Sequence, residues 1–219
     1  MRLLWLSGGN AAWFAGHIDR LLTLTTRMHH PIDHFKTLWL DAKRCGVGRH
    51  RNAVCVSTID AEGYPSSRFV DLKEAEDAGF VFCTHLDSAK ALDMGRNPKA
   101  GITLWWEHIA TQVRIKGACT AIADHEADLH WAGRLRDAQI ATATFAQSRP
   151  LETLESLVPQ YEQAAAAYAG KPIPRPTNWG GFRLRAEQME FLEFKENRLH
   201  ARTRFARAGA AWEQSFLQP

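Results

Sequence analysis

A β-branched run, Ala53-Val-Cys-Val-Ser-Thr-Ile59, ends in the turn signal Asp60-Ala-Glu-Gly63 and is followed by a second extended stretch over residues 66–72. β-branched side chains fit a pleated surface, and a short segment with Asp and Gly reverses the chain. Together they spell an antiparallel hairpin. The pattern recurs: residues 79–84 read as a third strand, 100–107 and 112–122 as a second pair. Residues 182–194, 199–205 and 211–216 close the chain as strands, the last two joined through Ala208-Gly209. Hairpin-linked strands with few helices between them predict a mainly β, α+β chain built on an antiparallel sheet or barrel, not alternating βαβ units. There is no Gly-x-Gly-x-x-Gly and no Walker loop, so a Rossmann dinucleotide site and a P-loop lose support.

Four helices are expected between the strands. Phe35, Leu38, Trp39 and Ala42 recur at helical spacing over residues 33–45, with Asp33 as N-cap. Residues 88–95 make a short helix capped by Ser88 and stopped at Asn97-Pro98. Asp124 caps a third, running toward Trp131. The stripe Leu151, Leu154, Val158, Tyr161, Ala165 and Tyr168 predicts one helix over 151–169, kinked at Pro159 and ended by Gly170. Residues 172–176 follow as a stiff, Pro-rich connector. Residues 1–34 carry no pattern beyond two helical turns at 18–24 and are read as an N-terminal arm of unassigned structure, leaving 35–219 as one domain.

The balance of 27 basic against 24 acidic residues is too mild for a nucleic-acid binder and suits anionic small molecules. No apolar run reaches membrane-spanning length, so no membrane association is expected. Cys45, Cys55, Cys83 and Cys119 are far apart, which fits reduced thiols in a cytoplasmic protein. The ten histidines lack metal-ligand spacing, and no nucleophile sits in a recognisable motif, so neither metal binding nor acyl transfer is supported.

Five constellations remain, each with a bland alternative. Arg198, His200 and Arg202 alternate; on a strand they would share one face and repel unless something anionic lies over them. The alternative is a solvated edge strand. Arg68 opens a strand that Lys73 closes, and the odd offset puts them on opposite faces unless a bulge intervenes. Thr84-His-Leu-Asp-Ser88-Ala-Lys90 brings a strand end, a hydroxyl and a lysine to a helix start, either a phosphate site or a plain N-cap. Arg134 and Arg136 with Asp137 make either an anion site or a local ion pair. Trp105-Trp106, with Gln112 on the next strand, should divide between core and a subunit interface.

In order and spacing, Asn52 to Asp60, Arg68-Phe-Val-Asp-Leu-Lys73, Phe82 to Lys90, Arg134 to Ile140, Gln147-Ser148, Trp179-Gly-Gly-Phe182 and Arg198-Leu-His-Ala-Arg202 resemble the pyridoxamine (pyridoxine) 5′-phosphate oxidase family. The resemblance covers residue 35 to the C-terminus and implies an FMN-binding split β-barrel, a homodimer with FMN in clefts between subunits, and a C-terminal dimerisation-type region. It implies that Arg68, Ser88 and Lys90 serve the FMN phosphate. Phe69, Val70, Lys73, Thr84, Gln112, Gln147, Ser148 and Arg202 would hold the rest of the flavin. Lys73, His130 and Arg134 would meet a substrate phosphate, and Arg198 and His200 would line the reacting face as catalytic residues. The implied reaction makes pyridoxal 5′-phosphate, with oxygen reduced to hydrogen peroxide. The chain departs from the family at His130 (usually Tyr), Ala138 (usually Ser), Ala89 (usually Arg) and Leu192 (usually Trp). Each lost neutral hydrogen bond to a substrate phosphate would cost on the order of 1.5–3 kcal/mol. These departures suit, as an alternative, a relative acting on a dihydro-aromatic (phenazine-type) intermediate; a second alternative is a non-catalytic flavin- or haem-binding barrel, against which the retained Arg198 and His200 argue.

Overall fold

The structure, a computed structural model, describes residues 30–44 and 52–219. The two turns expected at 18–24, most of the arm and Cys45 lie outside the described residues. A first helix, α1 (Pro31–Arg44), is followed by the strands β1 (Ala53–Ile59), β2 (Pro65–Glu76) and β3 (Gly79–His85). Then come α2 (Ala89–Arg96), β4 (Lys99–Trp106), β5 (Thr111–Ala121), α3 (Asp124–Ala132), α4 (Arg136–Thr144) and α5 (Leu157–Ala167). Three strands, β6 (Trp179–Glu193), β7 (Ala201–Ala208) and β8 (Ala211–Leu217), complete the chain.

The strands form one antiparallel sheet in the order β3-β2-β1-β4-β5-β6-β7-β8, and a further β3–β6 pairing closes the first six into a barrel. The closure depends on the length of β6. Its first residues, Trp179 to Leu184, pair with β3, while Gln188 to Glu193 pair with β7, which leaves the barrel with β8. Glycine permits the tight passages. A Cβ on Gly181 would lie 2.7 Å from the Phe82 carbonyl oxygen, and one on Gly117, at the β5–β6 bulge, 1.9 Å from that of Arg185. The Trp-Gly-Gly-Phe motif is thus the seam of the barrel.

Period-two burial fills the interior. Val54, Val56, Phe80, Phe82, Ile102, Leu104, Val113, Ile115, Leu184 and Met189 face one core. Helix α1 joins that core through Ile32, Phe35, Trp39 and Ala42; the Phe35 ring lies 4.9 Å from Phe80 and 5.6 Å from Trp106. Burying such a side chain is worth about 1.5–3 kcal/mol, which ties α1 to the barrel. A second, smaller core of Trp131, Ile140, Ile173 and Trp179 holds α3 and α4 against the start of β6, and the Trp131 indole N–H donates to the Ile173 carbonyl at 2.8 Å. Among the described residues no helix is long and apolar enough to cross a membrane.

Several local expectations change. Helix α1 begins at Pro31, so Asp33 lies in its first turn and is not its N-cap; proline suits the first helical position because its missing N–H would be unpaired there. Asp124 is likewise inside α3, whose cap position is Ala123, with the Glu126 carboxylate accepting the Ala123 N–H at 3.1 Å. The single kinked helix over 151–169 is a 3-10 turn at Leu154–Ser156 followed by α5. Pro159 falls in the first turn of α5, where it disturbs no helical hydrogen bond. Arg198 and His200 precede β7, and Arg198 has φ 66°, so the Arg198-His200-Arg202 alternation is not a strand face.

Candidate functional site

Cross-strand register brings Arg68 of β2 beside β1, opposite Val56, and Ser66 opposite Thr58. The Arg68 guanidinium donates to the Thr58 hydroxyl at 2.6 Å and the Ser66 hydroxyl at 2.7 Å, and lies 3.7 Å from the Asp93 carboxylate. Asp93 is 3% exposed within α2, accepts the Thr58 hydroxyl at 2.7 Å and also pairs with Arg96. This buried acid fixes one side of the guanidinium. Thr58 and Asp93 are two site residues that the sequence reading missed. The usable signal was an aspartate on the apolar side of a short helix.

The junction of β3 and α2 adds a second cation. Ser88 is at the N-cap position, but its hydroxyl donates to the His85 carbonyl at 2.7 Å rather than capping the helix. Lys90, 5% exposed, donates to the Thr84 hydroxyl at 2.8 Å and the Ser88 hydroxyl at 3.1 Å. Burial, followed by the nearby Arg68, lowers its pKa to about 8 against the opposing pull of Asp93. Thr84 in turn donates to the Gln147 side-chain oxygen at 2.9 Å, which draws the loop after α4 onto the cluster; the adjacent Ser148 has φ 68°. Thr84, Ser88, Lys90 and Gln147 therefore form one hydrogen-bonded group, and Arg68 stands near enough to Lys90 to repel it, which leaves an excess of positive charge. Such a set fits a phosphate.

Beside it a cavity of about 300 Å³ is lined by Cys83, Thr84, Arg134, Thr142, Gln147 and Trp179, among others. Arg134 lies over the Trp179 ring at 5.1 Å and donates to the Thr142 hydroxyl at 2.9 Å, while its Nε is buried without a partner. Burial lowers the pKa of this guanidinium and pushes the Cys83 thiol up to about 11. Lys73 is the extra residue of a β2 bulge, where the register shifts between Leu72 and Glu74, and pairs with Asp71 at 2.6 Å. Arg68 and Lys73 serve different neighbours. His130 turns to Glu74, 3.2 Å from its carboxylate, and Glu74 also faces Arg183.

A third group lies on the barrel wall. Gln112 of β5 pairs with Leu192 of β6, and Leu192 with Arg202 of β7, so one row crosses three strands. Arg202 donates to buried Glu190 at 2.8 and 3.0 Å, and Arg114 pairs with the other carboxylate oxygen. Glu190 was missed because an acid inside an apolar run reads as a solvated position. His200 accepts the Lys195 backbone N–H on Nδ1 at 3.0 Å, so its Nε2 carries the proton of the neutral ring. Phe69 is 76% exposed and Val70 half-buried. No hydrogen bond or ion pair among the described residues joins this wall to the Arg68–Lys90 group.

Residues 47–167 match the family model described as pyridoxamine 5′-phosphate oxidase, and residues 179–219 match that of the pyridoxine 5′-phosphate oxidase C-terminal dimerisation region, which supports a homodimer. A pyridoxine/pyridoxamine 5′-phosphate oxidase of Rubrobacter xylanophilus is 35% identical over 86% of this chain and 87% of its own length. One from Anaeromyxobacter dehalogenans is 38% identical over 76% of this chain and 84% of its own. The solved structure of PhzG from Burkholderia lata 383, in complex with tetrahydrophenazine-1-carboxylic acid, aligns with TM-score 0.80 at 30% identity, covering 87% of this chain and 93% of that one. A pyridoxamine 5′-phosphate oxidase-related, FMN-binding protein from Nostoc punctiforme shares the fold at TM-score 0.69 and 18% identity. Barrel, seam and sequence together make this chain a member of the pyridoxamine 5′-phosphate oxidase family of split-barrel proteins.

Proposed function

We propose that the protein is an FMN-dependent oxidase that converts pyridoxamine or pyridoxine 5′-phosphate to pyridoxal 5′-phosphate, with oxygen reduced to hydrogen peroxide. The observation that carries the FMN reading is Lys90, a buried ammonium whose hydrogen-bond partners are the hydroxyls of Thr84 and Ser88, next to Arg68. Among the described residues Asp93 is the one buried carboxylate facing Arg68 and Lys90, and Arg96 shares it, so the cluster keeps an excess of positive charge that a phosphate would balance. Bound FMN supplies the hydride acceptor and the reaction with oxygen; the protein supplies binding and orientation. Phe69, Val70, Lys73, Gln147 and Ser148 hold the flavin from the same copy, and Gln112 and Arg202 from its partner copy. Lys73 and Arg134 take the substrate phosphate, with His130 beside them. Arg198 steers the reacting carbon as a permanent cation, and His200 offers its Nε2 proton to the substrate. The curated relatives' names support this substrate.

A second substrate, a dihydro-aromatic acid, is favoured by two observations. His130 is engaged by Glu74, and Ala138 offers only its backbone carbonyl, which Arg134 already occupies at 3.3 Å. The ligand of the Burkholderia lata protein, tetrahydrophenazine-1-carboxylic acid, is likewise a partly reduced aromatic acid. The test is to purify the protein, identify released flavin, and measure peroxide formation with pyridoxine 5′-phosphate, pyridoxamine 5′-phosphate and a dihydro-aromatic acid in parallel. A colourless protein that takes up no FMN would remove both readings.

A further inference from the structure

The wall that carries Gln112 and Arg202 continues onto β4, where Trp105 pairs with Gln112. Directly paired residues share a face, with Cβ atoms about 4.5–5.5 Å apart. Trp105 is 46% exposed, whereas Trp106 is buried in the core. The Trp105 ring meets Phe194 edge-on at 5.0 Å, and Phe194 meets the His200 ring at 4.8 Å. Both aromatic residues are held. The Trp105 indole N–H donates to the Glu107 carboxylate, and the Phe194 backbone N–H donates to the Ala110 carbonyl at 2.8 Å. Phe194 also remains 39% exposed. Two large rings are therefore held on the exposed wall of the single chain, beside the histidine assigned to the reacting face.

We propose that Trp105 and Phe194 form an aromatic ledge that determines specificity, favouring planar fused-ring acids over a single pyridine ring. A pre-fixed ring loses little freedom when another ring stacks on it. The ledge runs from His200 through Phe194 to Trp105. Because Trp105 meets Phe194 edge-on, a fused-ring system that extends past Phe194 would stack on the Trp105 face, which a single ring at His200 would not reach. Arg198, two residues before His200, supplies a cation for the carboxylate. Leu192, where the family resemblance expects tryptophan, lies in the same row as Trp105, so this chain carries its indole two strands away. The proposal rests on the flavin-oxidase reading and on its second substrate.

The experiment is calorimetric titration of the FMN-loaded protein with phenazine-1-carboxylate, a fully aromatic three-ring acid, and with pyridoxal 5′-phosphate. Trp105→Leu and Phe194→Leu should each weaken the three-ring acid about tenfold, and Trp105→Phe and all pyridoxal 5′-phosphate titrations should move by less than about threefold. Equal weakening of both ligands, or of neither, overturns the assignment. So does loss of flavin by Trp105→Leu, which would make Trp105 a cofactor residue. If the protein takes up no FMN, the flavin reading fails by itself. The same titration of flavin-free protein then decides the ledge: selective weakening of the three-ring acid supports it, and no selectivity rejects it.

Discussion

The Lys90 ammonium sits 2.8 Å from the Thr84 hydroxyl inside the protein, and its hydrogen-bond partners among the described residues, Thr84 and Ser88, are both neutral. With burial and Arg68 lowering its pKa to about 8, its charge depends on pH within the working range. FMN affinity should therefore fall as pH rises through about 8, and fluorescence titration across that range checks it. Stability of the flavin-free protein should move the other way. The folded pKa lies below the ordinary 10.5, so between about 8 and 10.5 the unfolded chain holds more protons and stability rises with pH. Lys90→Met should flatten both profiles and weaken FMN by about 10–100-fold, the value of a charged hydrogen bond.

Glu190 predicts the acid limit of the fold. Burial pushes its carboxyl up, but hydrogen bonds from Arg114 and Arg202 outweigh it and hold the pKa below 4.5. A depressed carboxyl stabilises the folded state above its unfolded pKa, and that contribution is lost as pH falls through the folded value. Melting temperature should drop below about pH 4.5. Glu190→Gln should be less stable at neutral pH by about 3 kcal/mol, because two arginines lose their counter-charge, and its melting temperature should vary less in acid.

The strands were legible because burial alternates along them: β1 was read with its observed bounds, and the expected hairpins are all present. Helix ends were less legible, since Asp33 and Asp124 are good caps in isolation, yet each lies inside a helix that packing starts earlier. Arg68, Thr84, Ser88, Lys90 and Gln147 were all named from the sequence, and they meet. Their partners Thr58 and Asp93 were not: a threonine in a strand carries no local mark of burial, and the one mark of Asp93, its place on the apolar side of a short helix, is easily read as a solvated acid. His200 was read inside a strand that begins only at Ala201, because alternation in sequence does not reveal the left-handed turn at Arg198.

Ala138→Ser tests the substrate phosphate site. The Arg134 guanidinium already reaches the Ala138 carbonyl and the Thr142 hydroxyl, so a serine hydroxyl would stand beside it. If that pocket takes a phosphate, KM for pyridoxine 5′-phosphate should fall about tenfold or more, one neutral hydrogen bond to a phosphate's worth. An unchanged KM in steady-state peroxide assays would count against the vitamin B6 substrate.

Arg198 allows side chain and backbone to be separated. Its φ of 66° is a conformation that glycine adopts without penalty and other residues adopt at a cost. Arg198→Gly should therefore leave the turn intact, with His200 still accepting the Lys195 N–H, and raise or preserve melting temperature. Arg198→Ala removes the same guanidinium while keeping the backbone strain. If the guanidinium steers the substrate, both variants should lose turnover by about 100-fold or more while keeping FMN, as expected for a positioning cation. If either variant keeps full turnover, the charge is dispensable and Arg198 leaves the mechanism.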